Sequence, residues 1–395
     1  MNNKFKNTFI SSFNFVPRIL PVTDSDARIL DDELKDFERI SLDPEIELTL
    51  INKNELLVSF AISKAENSNL TLEEAAEVYN LVLNDKEFDF VAKKIRNKEA
   101  LTGDDYDKFE FFNIARAFRK LAANNFSLKD LSPDFIRKIH LEITKGLDIF
   151  HGHLSGFTPY KSGSWRDNDD IRVGSYVPLH FREIPGAVSE LVAWFQKNPS
   201  IVNVAAFHTV LYAIHPFNNG NKRVCRVLEH LLFKVIGLNR KNLYATSYAY
   251  HKEKAKYYKY LLSSLDRRNI NIFSSFILEA LVDSMLGVVK TSLEIKRSEC
   301  IDRSDLDKET RKILKPLIKR RELQFKNFYK ILKNKVSRQT FVNHISLAVE
   351  NGVLSKRDSG KATFYSLNLK TDEEVFLRRQ AEKFKGKIAH FDAII

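Results

Sequence analysis

The sequence predicts a mainly α-helical protein, and three observations carry that expectation. Glycine and proline are scarce, 13 and 10 in 395 residues, so long uninterrupted helices are permitted. Segments such as LTLEEAAEVYNLVLND and FEFFNIARAFRKLAANN repeat apolar residues at spacings of three and four, the helical period. One stretch departs from it: in YKSGSWRDNDDIRVGSYVPL, residues 160–179, Gly163, the turn-rich RDNDD and the alternation through Ile171, Val173 and Tyr176 predict a short β-hairpin.

Taken in order, residues 1–105 read as an N-terminal helical region. Within it Thr71, followed by Glu73 and Glu74, has the form of a helix start, because carboxylates near a helix N-terminus complement its dipole. Residues 106–300 read as a helical core that contains the hairpin. The charged run KRSECIDRSDLDKETRK places a domain boundary near residue 300. Residues 301–370 form a third segment, and 371–395 a C-terminal tail.

Composition narrows the function classes. Hydrophobic residues at 44% and charged residues at 29% describe a globular chain. No uninterrupted apolar run reaches the roughly eighteen residues of a membrane span, and MNNKFKNTFISSFNFVPRIL is too broken by polar groups for a signal-peptide core. The expectation is a cytoplasmic protein of bacterial type with no membrane partner, export without a signal peptide staying open. Two cysteines, Cys225 and Cys300, cannot build a disulfide framework or a zinc site by themselves, which fits a reducing compartment. The net charge of +12 is concentrated: residues 301–370 hold seventeen Lys and Arg against seven Asp and Glu. A basic binding surface is therefore expected toward the C-terminus.

The chemistry-bearing stretch is HPFNNGNKRVCR, His215 to Arg226, set between the apolar segments FHTVLYAI and VLEHLLFKVIGL. Pro216 disfavours helix at His215, Gly220 allows a tight turn, and Asn221 opens the next helix. A glycine loop leading into a helix N-terminus gathers unpaired N–H groups and the positive end of a dipole, a cradle for an anion. Lys222, Arg223 and Arg226 crowd that end, an unfavourable placement unless something anionic sits among them, and a di- or triphosphate meets the need. His215 at the edge could take a proton from an attacking hydroxyl. Phe217 reads as the loop's anchor. A single histidine at a helix end is usually structural; the cluster in register with glycine and helix start is what points to a site.

These residues resemble the Fic family signature, His-x-Phe-x-acidic-Gly-Asn-Gly-Arg-x-x-Arg, and the resemblance extends over about residues 110–285. It includes GSWRDNDDIRVG, similar to the family's flap, and YATSYAYHKEKAKYYKYLLSSL, similar to the helix that follows. It implies a Fic-type helical bundle with a hairpin flap, and transfer of AMP from ATP to a Ser, Thr or Tyr hydroxyl of a target protein. His215 would be the base, Phe217 the anchor, and Asn219, Gly220, Asn221, Lys222, Arg223 and Arg226 the ATP and phosphate site. Gly163, Trp165, Arg166, Ile171 and Val173 would form the flap that docks the target by strand addition. Two positions depart from the signature. Asn219 stands where the acidic residue that helps bind Mg²⁺ is usual, and a neutral amide is a weaker ligand for a hard cation. Lys222 stands where the second glycine is usual, as in the Doc branch, which resembles kinases transferring the γ-phosphate; it can also supply positive charge beside a polyphosphate.

The segment AISKAENSNLTLEEA, residues 61–75, resembles the family's N-terminal inhibitory motif through Glu66 and Asn67, with Ile62 at the usual Ser or Thr position and Ser63 one place late. The resemblance implies that Glu66 pairs with Arg226 and restrains ATP binding, and in some members positions a water that removes AMP. The expected cofactors are ATP and Mg²⁺. The alternatives are a Doc-like kinase using the same site, and a nucleotide-sensing transcription regulator with a non-catalytic core. A homodimer is among the states the sequence allows.

In VSRQTFVNHISLAVENGVLSKRDSGKATFYSL, Ser337 can cap a helix whose Phe341, Ile345 and Ala348 share a face and which ends at Gly352. Two strands around RDSGK follow. With FKNFYKILKN ahead of it, the segment resembles a winged helix-turn-helix. Arg338, Gln339 and Asn343, with His344 beside them, would face a DNA groove, and Lys356, Arg357 and Lys361 would meet phosphates.

Overall fold

The computed structural model describes residues 5–66, 68–123 and 126–388. Asn67 and the side chain of Glu66 lie outside the described residues. The chain divides into two compact units, 1–36 with 51–285, and 37–50 with 286–395. This differs from the boundary expected near residue 300, because one helix, Asn271–Asp302, runs without interruption through that region. The charged run that suggested a linker is the last turns of this helix, where Arg297 and Ile301 are buried, and the start of the next segment. Its apolar part is long enough to cross a membrane by length and composition, and 72% of that window is buried.

The first unit is helical throughout its described elements. We number its main helices α1 (Pro44–Ser63, which also contributes residues to the second unit), α2 (Leu72–Leu83), α3 (Gly103–Ala123), α4 (Pro133–Thr144), α5 (Ile184–Lys197), α6 (Ile201–Ile214), α7 (Asn221–Val235) and α8 (Lys254–Asp266). α6 lies at the centre, packed on α5 and α7, and α7 packs on α4. Every residue of α6 from Val204 to Ile214 is buried, as an all-round apolar helix demands. The α2 start is a reciprocal capping box: Thr71 Oγ1 accepts from the Glu74 N–H, and Glu74 accepts from the Thr71 N–H.

Residues 160–179 do not form the expected hairpin. Among the described residues of this unit there is no strand, and Val173 and Tyr176 are joined only by an isolated antiparallel bridge around Gly174. The Asp- and Asn-rich turn satisfies its backbone with side chains instead: Asp169 accepts from the Phe181 N–H, and Asn168 from the Asp170 N–H. Such local bonds compete with a strand ladder.

The second unit contains the rest of the long helix, now α9 (Asn271–Asp302), then α10 (Lys308–Leu314), β1 (Leu323–Gln324), α11 (Phe325–Leu332), α12 (Arg338–Glu350), β2 (Leu354–Ser359), β3 (Ala362–Leu367) and α13 (Asp372–Phe384). The strands form one antiparallel sheet in the order β1–β3–β2. Its core gathers Ile313, Leu314, Phe328, Phe341, Ile345 and Leu354. Ser337 caps α12 by accepting from the Thr340 N–H. The segment expected to be a tail is a helix of this unit: Phe376, Leu377 and Phe384 are buried, and the fully buried Glu373 accepts from Ser292 Oγ at 2.7 Å and pairs with Lys296 at 2.7 Å.

Candidate active site

α6 ends at His215, whose backbone is left-handed, φ 53°. For a non-glycine residue this conformation costs about 1–2 kcal/mol and is kept where the surroundings impose it. What imposes it is a set of bonds from the flap. Arg166 Nε donates to the His215 carbonyl at 2.8 Å, and the Arg166 N–H donates to the Pro216 carbonyl at 2.9 Å. The same guanidinium donates to the Leu179 and Asn168 carbonyls and pairs with Asp169 at 2.9 Å. Arg166 is buried. It holds the loop rather than facing a target, which corrects its expected docking role.

Phe217 is fully buried as the anchor. It stacks on His140 with centroids 3.9 Å apart and planes 9° apart, and Trp165 packs on it at 5.0 Å. His140 Nδ1 accepts from the Gly163 N–H at 2.9 Å, so the Nε2–H is the one that donates to the Asn219 carbonyl at 3.1 Å. Burial holds the His140 pKa down at about 3, matching that neutral tautomer. Gly163, φ 77°, has Leu141 Cβ at 3.2 Å from where its own Cβ would be. Gly163 and Trp165 therefore brace the loop with Arg166, while Ile171 and Val173 line the cavity over His215.

Gly220, φ 80°, is the N-cap of α7. Asn221 is buried, and its side chain accepts from the Phe217 N–H at 2.9 Å and donates to the Phe217 carbonyl at 2.8 Å. That amide closes the loop and is not aimed at a ligand, so of the expected cradle only its backbone remains. Asn219 Oδ1 accepts from the Gly220 N–H at 2.7 Å and from Arg223 at 3.4 Å. It is turned into the loop, and among the described residues no group of three His, Cys, Asp or Glu could hold a metal. Asn219 also lines the cavity over the loop, and its neutral amide is a weaker ligand than a carboxylate for a hard cation.

The two arginines expected to grip phosphate are both buried and engaged. Arg223 pairs with Glu110 of α3, donates to Tyr160 Oη at 2.8 Å, and lies over the Tyr160 ring. Tyr106 Oη donates to the same carboxylate at 2.6 Å. Arg226 Nη1 donates to the Ala61 carbonyl at 2.9 Å, with its guanidinium over Tyr257 at 4.4 Å and Tyr250 at 5.4 Å. Lys222 is closer to the open side, 4.9 Å from the Tyr258 ring centre. Tyr258 Oη in turn donates to the Ala65 carbonyl at 2.5 Å, and Lys254 Nζ to the Lys64 carbonyl at 3.4 Å. The turn Lys64–Glu66 is thereby tied to α8 and packs on α7.

A cavity of about 430 Å³ lies over the loop, bounded by Ile171, Val173, His215, Gly220, Lys222 and Tyr258. It joins an imidazole, a helix N-terminus and a lysine, the elements for binding an anion beside a base. Sequence reading missed Glu110, His140, Tyr160 and Tyr258. His140 carried a signal, a histidine four residues after Ile136 on an apolar helix face. The other three carried none, because their roles arise from packing between segments far apart in the chain.

Residues 130–233 match the Fic/DOC family. A protein adenylyltransferase Fic of Drosophila erecta is 25% identical over 146 residues, covering 35% of this chain and 27% of that protein. The Drosophila melanogaster protein of the same name is 26% identical over 142 residues with the same coverage. The chain thus spans about a quarter of the length of the curated relatives it matches. The crystal structure of a Fic family protein from Desulfovibrio desulfuricans G20 is similar with a TM-score of 0.52 at 16% identity, over 91% of this chain and 99% of that one. At that identity the likeness establishes the fold.

Proposed function

We propose, from the match of residues 130–233 to the Fic/DOC family, that the protein transfers AMP from ATP to a Ser, Thr or Tyr hydroxyl of a target protein. The observation that carries the reading is the common cavity of His215, the Gly220 helix start and Lys222. In the reaction the target oxygen bonds to the α-phosphorus as the bond to the β-phosphate oxygen breaks, pyrophosphate leaves, and the hydroxyl proton passes to the His215 imidazole. ATP is the substrate, and any Mg²⁺ on its phosphates would have the Asn219 amide in place of the usual carboxylate. Lys222 supplies part of the positive charge that neutralises the phosphates. The same lysine favours a second reading, a Doc-like kinase moving the γ-phosphate.

The proposal includes a restrained ground state. Arg223 and Arg226 are occupied by Glu110 and by the Ala61 carbonyl with two tyrosines, and the segment bearing Glu66 is fastened to α7 and α8. Glu66 is proposed as the brake on ATP, with removal of AMP from targets as a further activity of the same residue. Glu66→Gly should then raise labelling, including self-labelling. Mass spectrometry of lysate proteins incubated with that variant and ATP tests the reading. An adenylyl mass on hydroxyl side chains that vanishes with His215→Ala supports it; no modified protein with either form overturns it.

The second unit is proposed to bind DNA as a winged helix-turn-helix. Its order α10–β1–α11–α12–β2–β3 supports this, as do exposed Arg338, Gln339 and Asn343 on α12 and exposed Lys356 and Lys361 on the hairpin. Two expected contacts fit less well. Arg357 lies across the Phe364 ring and donates to both Glu322 oxygens at 2.8 and 3.0 Å, so it braces the sheet. His344 bonds Thr310 of α10 at 2.6 Å, off the α12 face that bears Arg338.

A further inference from the structure

A second cavity, of about 500 Å³, lies wholly within the second unit, where α9, the segment 318–322 and α13 meet. We propose that it binds a polyphosphate group, either free or as the tail of a nucleotide. The volume falls in the range of small-molecule sites, roughly 300–1,000 Å³. Its floor is aliphatic, with Leu293, Leu377 and the partly buried Ile318, and is closed by the buried Arg297.

The charge around it is unbalanced in a specific way. Six cations, Lys290, Arg297, Lys319, Arg320, Arg321 and Arg378, face three carboxylates. Two of those carboxylates are already taken. Glu374 pairs with Arg297 at 2.7 Å and Arg378 at 3.7 Å, and Glu322 is taken by Arg357. Glu294 is left against Lys290, Lys319, Arg320 and Arg321, none of which forms an ion pair among the described residues. Lys319, Arg320 and Arg321 are consecutive and Lys290 joins them from α9, and clustering like charges is unfavourable unless a counter-anion occupies the space. A concave site favours a compact polyanion over a duplex backbone, and arginine forks suit phosphate oxygens.

The test is hydrogen–deuterium exchange on the full chain with inorganic triphosphate, with ATP, and with duplex DNA. Triphosphate and ATP should both slow exchange at residues 318–322 and 374–378; slowing by ATP alone would assign the site to a nucleotide. The exposed double variant Arg320→Ala, Arg321→Ala should weaken that binding by about tenfold or more while leaving the fold intact. Protection there only with DNA, protection by polyphosphates confined to 215–226, or equal affinity in the double variant would each overturn the proposal.

Discussion

Arg223 and Glu110 form an ion pair in which each side chain is only 1% exposed. A phosphate-type arginine thus has an internal carboxylate as its partner, and α3 is locked to α7 through it. Removing one member of a buried pair strands the other charge, at a cost of about 3–5 kcal/mol. Glu110→Ala should lose that much in urea unfolding, and Glu110→Gln less. An unchanged midpoint would mean the pair contributes nothing.

Arg166 satisfies the carbonyls of His215, Asn168 and Leu179 at once. No single ammonium can reach all three, so Arg166→Lys should fail to substitute. Arg166→Ala should destabilise the protein by about 3 kcal/mol or more, seen as a lower thermal midpoint. Because the His215 loop loses its brace, kcat should fall further than the KM for ATP rises.

Gly220 holds φ 80° with His140 and Thr144 atoms 3.5 Å from the position of an added Cβ, which is ordinary contact. The penalty of Gly220→Ala is therefore in the backbone, about 1–2 kcal/mol. Gly220→Asn, which tolerates the left-handed region better, should cost less in the same thermal unfolding series.

The buried imidazoles make stability depend on pH. Burial depresses His140 to about 3 and His230 to about 4, from an ordinary 6.5. Below 6.5 the unfolded chain binds protons that the folded chain refuses, so stability rises with pH across this window. The contribution is complete above about 6.5 and is lost progressively as the pH falls toward the folded values. Urea midpoints at pH 7.5, 5.5 and 4.5 should decline in that order; a flat series would contradict neutral burial.

Much of the site was legible because its chemistry is local. Helix end, glycine turn and helix start are consecutive, and the structure puts His215, Gly220 and Lys222 on one cavity. The charge partners were not legible: Arg223 meets a glutamate 113 residues away, and no local pattern encodes that. Arg166 looked like a surface flap residue among polar neighbours. It is drawn inward because the carbonyls at the end of α6 need donors. The hairpin expectation gave alternation more weight than the competing Asp and Asn side chains. α13 was hidden because its charges balance, while the spacing of Phe376, Leu377 and Phe384 was the informative signal.

The most direct measurement is transfer from ATP carrying label on either the α- or the γ-phosphate, using the unaltered chain, Glu66→Gly and His215→Ala. The account predicts protein-bound α-label, more with Glu66→Gly and none with His215→Ala. Label arriving only from the γ-phosphate, or α-label that persists without His215, would contradict it.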